Sequence, residues 1–436
     1  AHSKRPLEPL AARILVPVSS MHPVLRPLAG RTMCALLVGL VVGYAGGLYS
    51  SREIISSVQF TSVQSGSIND VNGGESTAAT ATATDAASSS RRAGAASPRV
   101  VEPGGAALTE PAAAPRGWRH SMGCTASQAE ANAASFFQAG GFKATRCPGS
   151  QPLEAYRQQM AAELDDPFNV LVVGCNTGSD AIAMARLFSQ NRAFNYSSFL
   201  RYTKFPCGAC SMCTDDGPIY PPGTVSKIAK VATHCFEALP TNFRTLTKGA
   251  EHFGYGNMGF HVVEAAVTGK GGPASVSFPK DSKVGKESIG IGNKVRGAGA
   301  TVMVPTQTVD NYARKNGLLS NFDVEKVDVL LIDTEGHDAK VLEGAKLTLE
   351  SGSVRYLEFE YHAIGHWKNY QLEKTIDYLD KLEYQCFWIG KAQVWPITKC
   401  WAQQFEGHQW SNVGCYHRQY TLLSDIFHSL VMPAGS

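Results

Sequence analysis

The run VDVLLIDTEGHDAKVLEGA, residues 327–345, is apolar up to Asp333 and Glu335, then places His337 just before a helical pattern begins. Two carboxylates and an imidazole directly after a buried strand can orient a hydroxyl, attract a cation or move a proton. A second set, Glu360, His362 and His366, follows the apolar run SVRYLEFEY. Plainer uses exist for all of them. Asp333 can cap the next helix, Glu335 can complement its dipole, and His337 can face solvent in its first turn. Ligands of open parallel sheets bind beyond the carboxyl ends of the strands, and both sets stand at such ends. The catalytic candidates are therefore Asp333, Glu335, His337, Glu360 and His362.

The elements that must position them follow an α/β rhythm. FNVLVVGCNTGSDAIAMARLF reads as a strand buried on both faces, a turn through Gly174, Asn176 and Gly178, and a helix that Ser179 can cap. A strand, a glycine turn and a helix N-terminus suit a nucleotide-like ligand, because the backbone approaches closely and free N–H groups point outward. KVATHCFEALPTNF gives a second strand ending in Glu237, where a carboxylate can accept two ribose hydroxyls. The usual spacing from turn to carboxylate is about 20 residues. Here it is much longer, and the excess, about residues 191–228, contains CGACSMC and reads as an insertion near the ligand-binding edge. Later segments predict a third strand in GFHVVEAAVTG, a hairpin or edge piece in GGPASVSF, and a short strand and helix in GATVMVPTQTVDNYARKNG. The opening run is the fourth strand, and SVRYLEFEYH the fifth. A helix and sixth strand follow in LEKTIDYLDKLEYQCFWIG, and WSNVGCYHR is the last. Two lead-in helices precede the first strand. The expected fold is a mostly parallel sheet of about seven strands with helices on both faces, spanning residues 118–425, with a tail at 426–436.

The first hundred-odd residues differ in kind. TMCALLVGLVVGYAGGLYS (32–50) is just long enough to span a bilayer, and Lys4, Arg5, Arg13, Arg26 and Arg31 lie before it. That arrangement predicts a signal anchor with residues 1–31 cytosolic; a cleaved signal peptide is the alternative. The chain opens on Ala1, and Met21 would begin a shorter cytosolic stub, so residues 1–20 need not be native. Residues 51–117, rich in Ala, Ser, Thr, Gly and Pro, read as a stem that buries too little apolar area to fold. The expectation is a single-pass type II membrane protein with its folded domain in the lumen. A net charge of +3 with 18% charged residues offers no basic stripe for nucleic acid.

Eleven cysteines suit an oxidising compartment. Cys207, Cys210 and Cys213 can form disulfides or part of a zinc site that needs a fourth ligand. Cys124 with Cys147, and two of Cys386, Cys400 and Cys415, are candidate pairs, whereas Cys175 and Cys235 read as small packing residues. Asn195 begins the glycosylation sequon NYS.

VDVLLIDTEGHDAKVLEGA strongly resembles the signature of the FkbM-type S-adenosylmethionine-dependent methyltransferases. The turn GCNTG, the strand end CFEALPTN, the element TVDNY, the strand LEFEYH and the late SNVGC resemble that family in the same order, over about residues 165–420. The resemblance implies a Rossmann-like class I methyltransferase fold with S-adenosylmethionine as cofactor. By position, Gly174, Asn176 and Gly178 would bind its methionine side, Glu237 its ribose, and Glu264 and Ala265 would lie near its adenine; Cys175, Ser179, Asn242 and Asp333 would also belong to the cofactor site. Asp333 and Glu335 would lie under the sulfonium and the acceptor. Two positions depart from the family: Val172 stands where an acid is usual, and Leu331 where a lysine is usual. With an anchor-and-stem layout like that of Golgi glycan-modifying enzymes, the expected acceptor is a hydroxyl on a glycan or small molecule. A weak acid of that kind needs a base or a divalent metal. The rivals are a lumenal glycosyltransferase, for which TDDG (214–217) would supply metal-binding acids, and a methyltransferase-like module without activity.

Overall fold

The computed structural model describes residues 123–160, 167–210, 213, 216–292, 299–318 and 327–431, all within the unit Pro103–Ser436. The anchor at 32–50, the stem, and Asp215 of TDDG lie outside those residues. Among the described residues no helix is long and apolar enough to cross a membrane.

Two helices lead in, α1 (Ala126–Gln138) and α2 (Gln151–Gln159). Thr125 starts α1 with a capping box: its hydroxyl accepts the Gln128 N–H while the Gln128 side chain accepts the Thr125 N–H. β1 (Phe168–Val173) is buried at every position and feeds α3 (Ser179–Ser189) and α4 (Tyr196–Thr203). β2 (Val231–Glu237) is also buried throughout and is followed by α5 (Pro240–His252), β3 (Phe260–Glu264) and β4 (Ala266–Val267). Then come β5 (Ser275–Pro279), β6 (Thr301–Gln307), α6 (Val309–Lys315), β7 (Val329–Ile332), α7 (Asp338–Gly344) and α8 (Lys346–Glu350). The chain continues through β8 (Tyr356–Tyr361), α9 (Leu372–Lys381), β9 (Tyr384–Ile389), β10 (Val394–Pro396), β11 (Ser411–His417) and α10 (Thr421–Leu430).

The main sheet has eight strands in the order β10-β9-β11-β8-β7-β1-β2-β3. β3, β2, β1, β7 and β8 run parallel, while β11 enters antiparallel between β8 and β9. The expected strand count falls short by one, because β10 folds back onto β9. The expected third strand also divides: β3 stays in the main sheet, and β4 crosses to a three-stranded sheet, β4-β6-β5. Along β1 the side chains alternate between two cores. Leu171 and Val173 join the one containing Phe136 and Trp388, while Val170 and Val172 join the one containing Ile182 and Phe199. That alternation, with burial on both faces, is why the strand reads as an unbroken apolar run. The chain leaves β1 toward β2 on one side and later returns to β7 on the other. This reversal of strand order opens a crevice at the carboxyl ends.

The disulfides correct several expectations. Cys124 pairs with Cys400, not Cys147, and Cys147 pairs with Cys210. Cys207 pairs with Cys213, so all three cysteines of CGACSMC are in bridges and offer no thiolate to zinc. Cys386 and Cys415 are bridged register partners on β9 and β11. Cys175 and Cys235, expected to pack as thiols, are bridged as well. Asn195 caps α4 by accepting the Ser198 N–H, and its Nδ2, the atom a glycan would take, donates to Asp216. Asp216 also accepts the Ser197 N–H, so the described acid of TDDG braces a helix start.

Candidate functional site

The carboxyl ends of β1, β2, β7 and β8 surround a cavity of about 510 Å³. Its first wall is made of backbone. After β1, Gly174 turns at φ +94°, and a Cβ there would lie 1.6 Å from the Asp333 carbonyl oxygen. Only glycine lets the tip of β1 pass that of β7. Asn176 follows at φ 47°, and its N–H donates to Glu237 Oε2 at 2.7 Å. Leu239 N–H donates to Oε1 of the same carboxylate at 2.7 Å. Glu237 thereby ties the β1 turn to the β2 turn, and burial pushes its carboxyl up to about 7 despite these donors. Asn242 extends the brace, donating to Asn176 Oδ1 at 3.1 Å and accepting the Gly285 N–H at 2.8 Å. Gly178, not Ser179, caps α3. Ser179 is the first helical residue and makes no capping bond, because the left-handed turn at Gly178 already ends the loop.

The second wall is made of side chains. Asp333 opens onto the cavity at the tip of β7. Its side chain is open to solvent within the cavity; the loss of bulk water there raises its carboxyl above the usual range, and Glu360, Glu335, Asp338 and Asp180 push it further. Glu335 holds φ 56°, and its Oε1 accepts the Ser288 N–H at 2.7 Å. Glu360 Oε1 accepts the indole N–H of Trp410, while Oε2 lies 3.0 Å from His362 Nε2. Ligand atoms of Glu335, Glu360 and His362 all fall within 4.8 Å of one another.

Three expected residues stand elsewhere. His337 is buried and its Nε2 contacts Thr268 Oγ1 at 2.8 Å, away from the cavity. It neither faces solvent nor lines the cavity, and burial, with His366 beside it, lowers its pKa to about 4. His366 packs its ring on His337, 4.6 Å between centroids, and does not line the cavity. Glu264 is in register with Glu237, but β3 is the sheet edge, and the carboxylate is exposed outside the cavity. Its neighbour Ala265 does line it. Capping by Asp333 also gives way. α7 begins at Asp338, whose carboxylate accepts the Thr334 and Gly336 N–H groups at 3.2 Å each and so holds the turn.

Four cavity residues were missed in the sequence: Asp180, Glu358, Trp410 and Ser288. Asp180 was legible as a first-turn acid of α3, and Glu358 by its place in LEFEY. Trp410 and Ser288 arrive from distant loops and carried no sequence signal. Val172 and Leu331, the two departures from the family pattern, are direct register partners on β1 and β7. Where the family's acid and lysine would stand side by side, this chain has an apolar pair, and neither charge is left without the other.

Residues 219–386 match the family model described as the methyltransferase FkbM domain. The matched range starts beyond the glycine turn and the CGACSMC segment, within the insertion that separates the turn from β2. The crystal structure of Methyltransferase FkbM from Methylobacillus flagellatus KT is similar, at 10% identity and a TM-score of 0.33, with 68% of this chain and 56% of that chain covered. No curated protein matches the chain.

Proposed function

Starting from the FkbM methyltransferase-family domain at residues 219–386, we propose that the chain transfers a methyl group from S-adenosylmethionine to a hydroxyl, on a glycan or another acceptor of the secretory pathway. One observation carries the reading: a single cavity joins the glycine turn and Glu237 to the carboxylates of β7 and β8. Its volume lies within the roughly 300–1,000 Å³ of small-molecule sites. Each Glu237 oxygen accepts one backbone N–H, and a carboxylate oxygen has a second lone pair to offer a ribose hydroxyl. Ala265 and Val267 supply an apolar wall suited to a base.

When bound, the cofactor supplies an electrophilic methyl on a positive sulfur. The chain's part is to hold and align. Asp333, with Glu335 beside it, favours positive charge at the β7 tip. Glu335 and Glu360 orient the acceptor hydroxyl, and Asp333 takes its proton. Fixing that geometry can account for about 7–11 kcal/mol of a barrier. His337 has no part in this, since its ring is turned to Thr268. The same reading places the chain as a type II membrane protein of the Golgi with its folded domain in the lumen; five disulfides among the described residues support an oxidising compartment.

Calorimetric titration of the full chain with S-adenosylhomocysteine tests the reading. Binding is expected, with at least a hundredfold loss in Glu237→Ala and retention in Asp333→Asn, which should still block transfer. Offering labelled cofactor to glycan, lipid and small-molecule fractions then identifies the acceptor. Binding of a UDP-sugar in place of the cofactor product would make the chain a glycosyltransferase.

A further inference from the structure

We propose that Glu335, Glu360 and His362 form a binding site for one divalent cation of the magnesium or manganese size. The three residues come from neighbouring strand tips, the turn after β7 and the end of β8, so the parallel pairing of those strands sets their spacing. Their ligand atoms lie within 4.8 Å of one another, and Glu360 Oε2 and His362 Nε2 are 3.0 Å apart. Octahedral coordination with bonds of about 2.1 Å puts adjacent ligands about 3 Å apart; Glu360 and His362 already stand at that spacing, and Glu335 closes on the ion.

A second observation points the same way. The His362 side chain is 8% exposed, and its Nε2 is buried without making a hydrogen bond, although Glu360 Oε2 is near. The pair is close but not aligned as a hydrogen bond, and coordination would satisfy the ring nitrogen better than this contact does. The supporting contacts resemble those of metal sites, where ligating carboxylates are themselves hydrogen-bonded. Glu360 Oε1 is fixed by the Trp410 indole and Glu335 Oε1 by the Ser288 N–H. One contact must change. His362 Nδ1 accepts the Ile364 N–H at 3.2 Å, and a neutral imidazole ligating through Nε2 carries its proton on Nδ1. This short-range contact between residues two apart is exchanged for the metal bond. Two carboxylates and one imidazole favour an oxygen-preferring ion that tolerates nitrogen and leave positions for water or an acceptor oxygen. The site stands on its own geometry. Only its catalytic use, lowering the pKa of the acceptor hydroxyl, rests on the methyltransferase reading.

Manganese(II) titrated into the full chain and followed by electron paramagnetic resonance tests it. One bound ion is expected, with affinity reduced at least tenfold in His362→Ala and in Glu360→Gln. Pulsed measurements on the wild type should show coupling to an imidazole nitrogen, which decides the matter even if a variant fails to fold. No binding at millimolar manganese, or binding without nitrogen coupling, overturns the site. A parallel titration with S-adenosylhomocysteine separates the two proposals. Manganese bound through nitrogen in a chain that ignores the cofactor product would keep the cation site and remove the methyltransferase.

Discussion

β7 carries an acid at each end, and the two are treated in opposite ways. At the start of the strand, Asp328 is buried against Arg355, with Nε 2.6 Å from Oδ1, and it also accepts the Asn169 N–H at 2.9 Å. At the tip, Asp333 is surrounded by Glu360, Glu335, Asp338 and Asp180. The first acid is neutralised within the fold and locks β1, β7 and β8 together. The second is crowded by its own kind at the mouth of a cavity, which raises the energy of the folded protein and makes the region receptive to a cation. Charge satisfied from within marks structure; charge left to a ligand marks function.

The sharpest way to break this comparison is to neutralise each acid in turn. Asp328→Asn leaves the Arg355 guanidinium without its charge partner and should cost about 3–5 kcal/mol in denaturant unfolding. If it costs no more than a surface change, the lock is not one. Next in size is Gly174→Ala, whose Cβ meets the Asp333 carbonyl. It should cost at least about 2 kcal/mol more than Gly254→Ala, where φ is also positive (+66°) but nothing lies within 4 Å.

Asp333→Asn should move the other way and stabilise the folded chain at neutral pH, by less than its crowding alone suggests because the side chain is open to solvent in the cavity. Its folded carboxyl is raised, so the wild type binds the extra proton when folded and loses stability as pH rises above the ordinary carboxylate range. The advantage of the variant should therefore grow from pH 4 to pH 8 and vanish below pH 4 in paired unfolding curves. The smallest expected effect is at His337, whose folded pKa of about 4 lies below the model-peptide value of 6.5. The unfolded chain takes up that proton first, so wild-type stability falls as pH drops from 6.5 to 4. His337→Asn should flatten that limb by about 1 kcal/mol; an unchanged slope would mean the ring is not held neutral.

Much of the frame was readable from local pattern. β1, β2, β7 and β8 are apolar runs because both faces are covered, and the Thr125 box announces α1. The glycine turn and Glu237 appear where a switch-point ligand would need them. Function within the tips was less legible. Asp338 looks like any first-turn acid until its carboxylate is seen holding the Thr334 and Gly336 N–H groups. His337 lies between two cavity residues in sequence, yet its side chain turns to Thr268. Glu360 takes its orientation from Trp410, on a loop that no spacing connects to it.

Residue types and their short-range order thus decided the strands, the turns that need glycine, and the set of acids gathered at one edge of the sheet, because periodicity and backbone sterics act over a few neighbouring residues. The tertiary structure alone decided which acid meets a cation, which imidazole faces the cavity, which cysteines pair, and that Val172 and Leu331 are neighbours. Those outcomes depend on contacts between segments far apart in the chain, where burial and distance set the energies and sequence spacing carries no information.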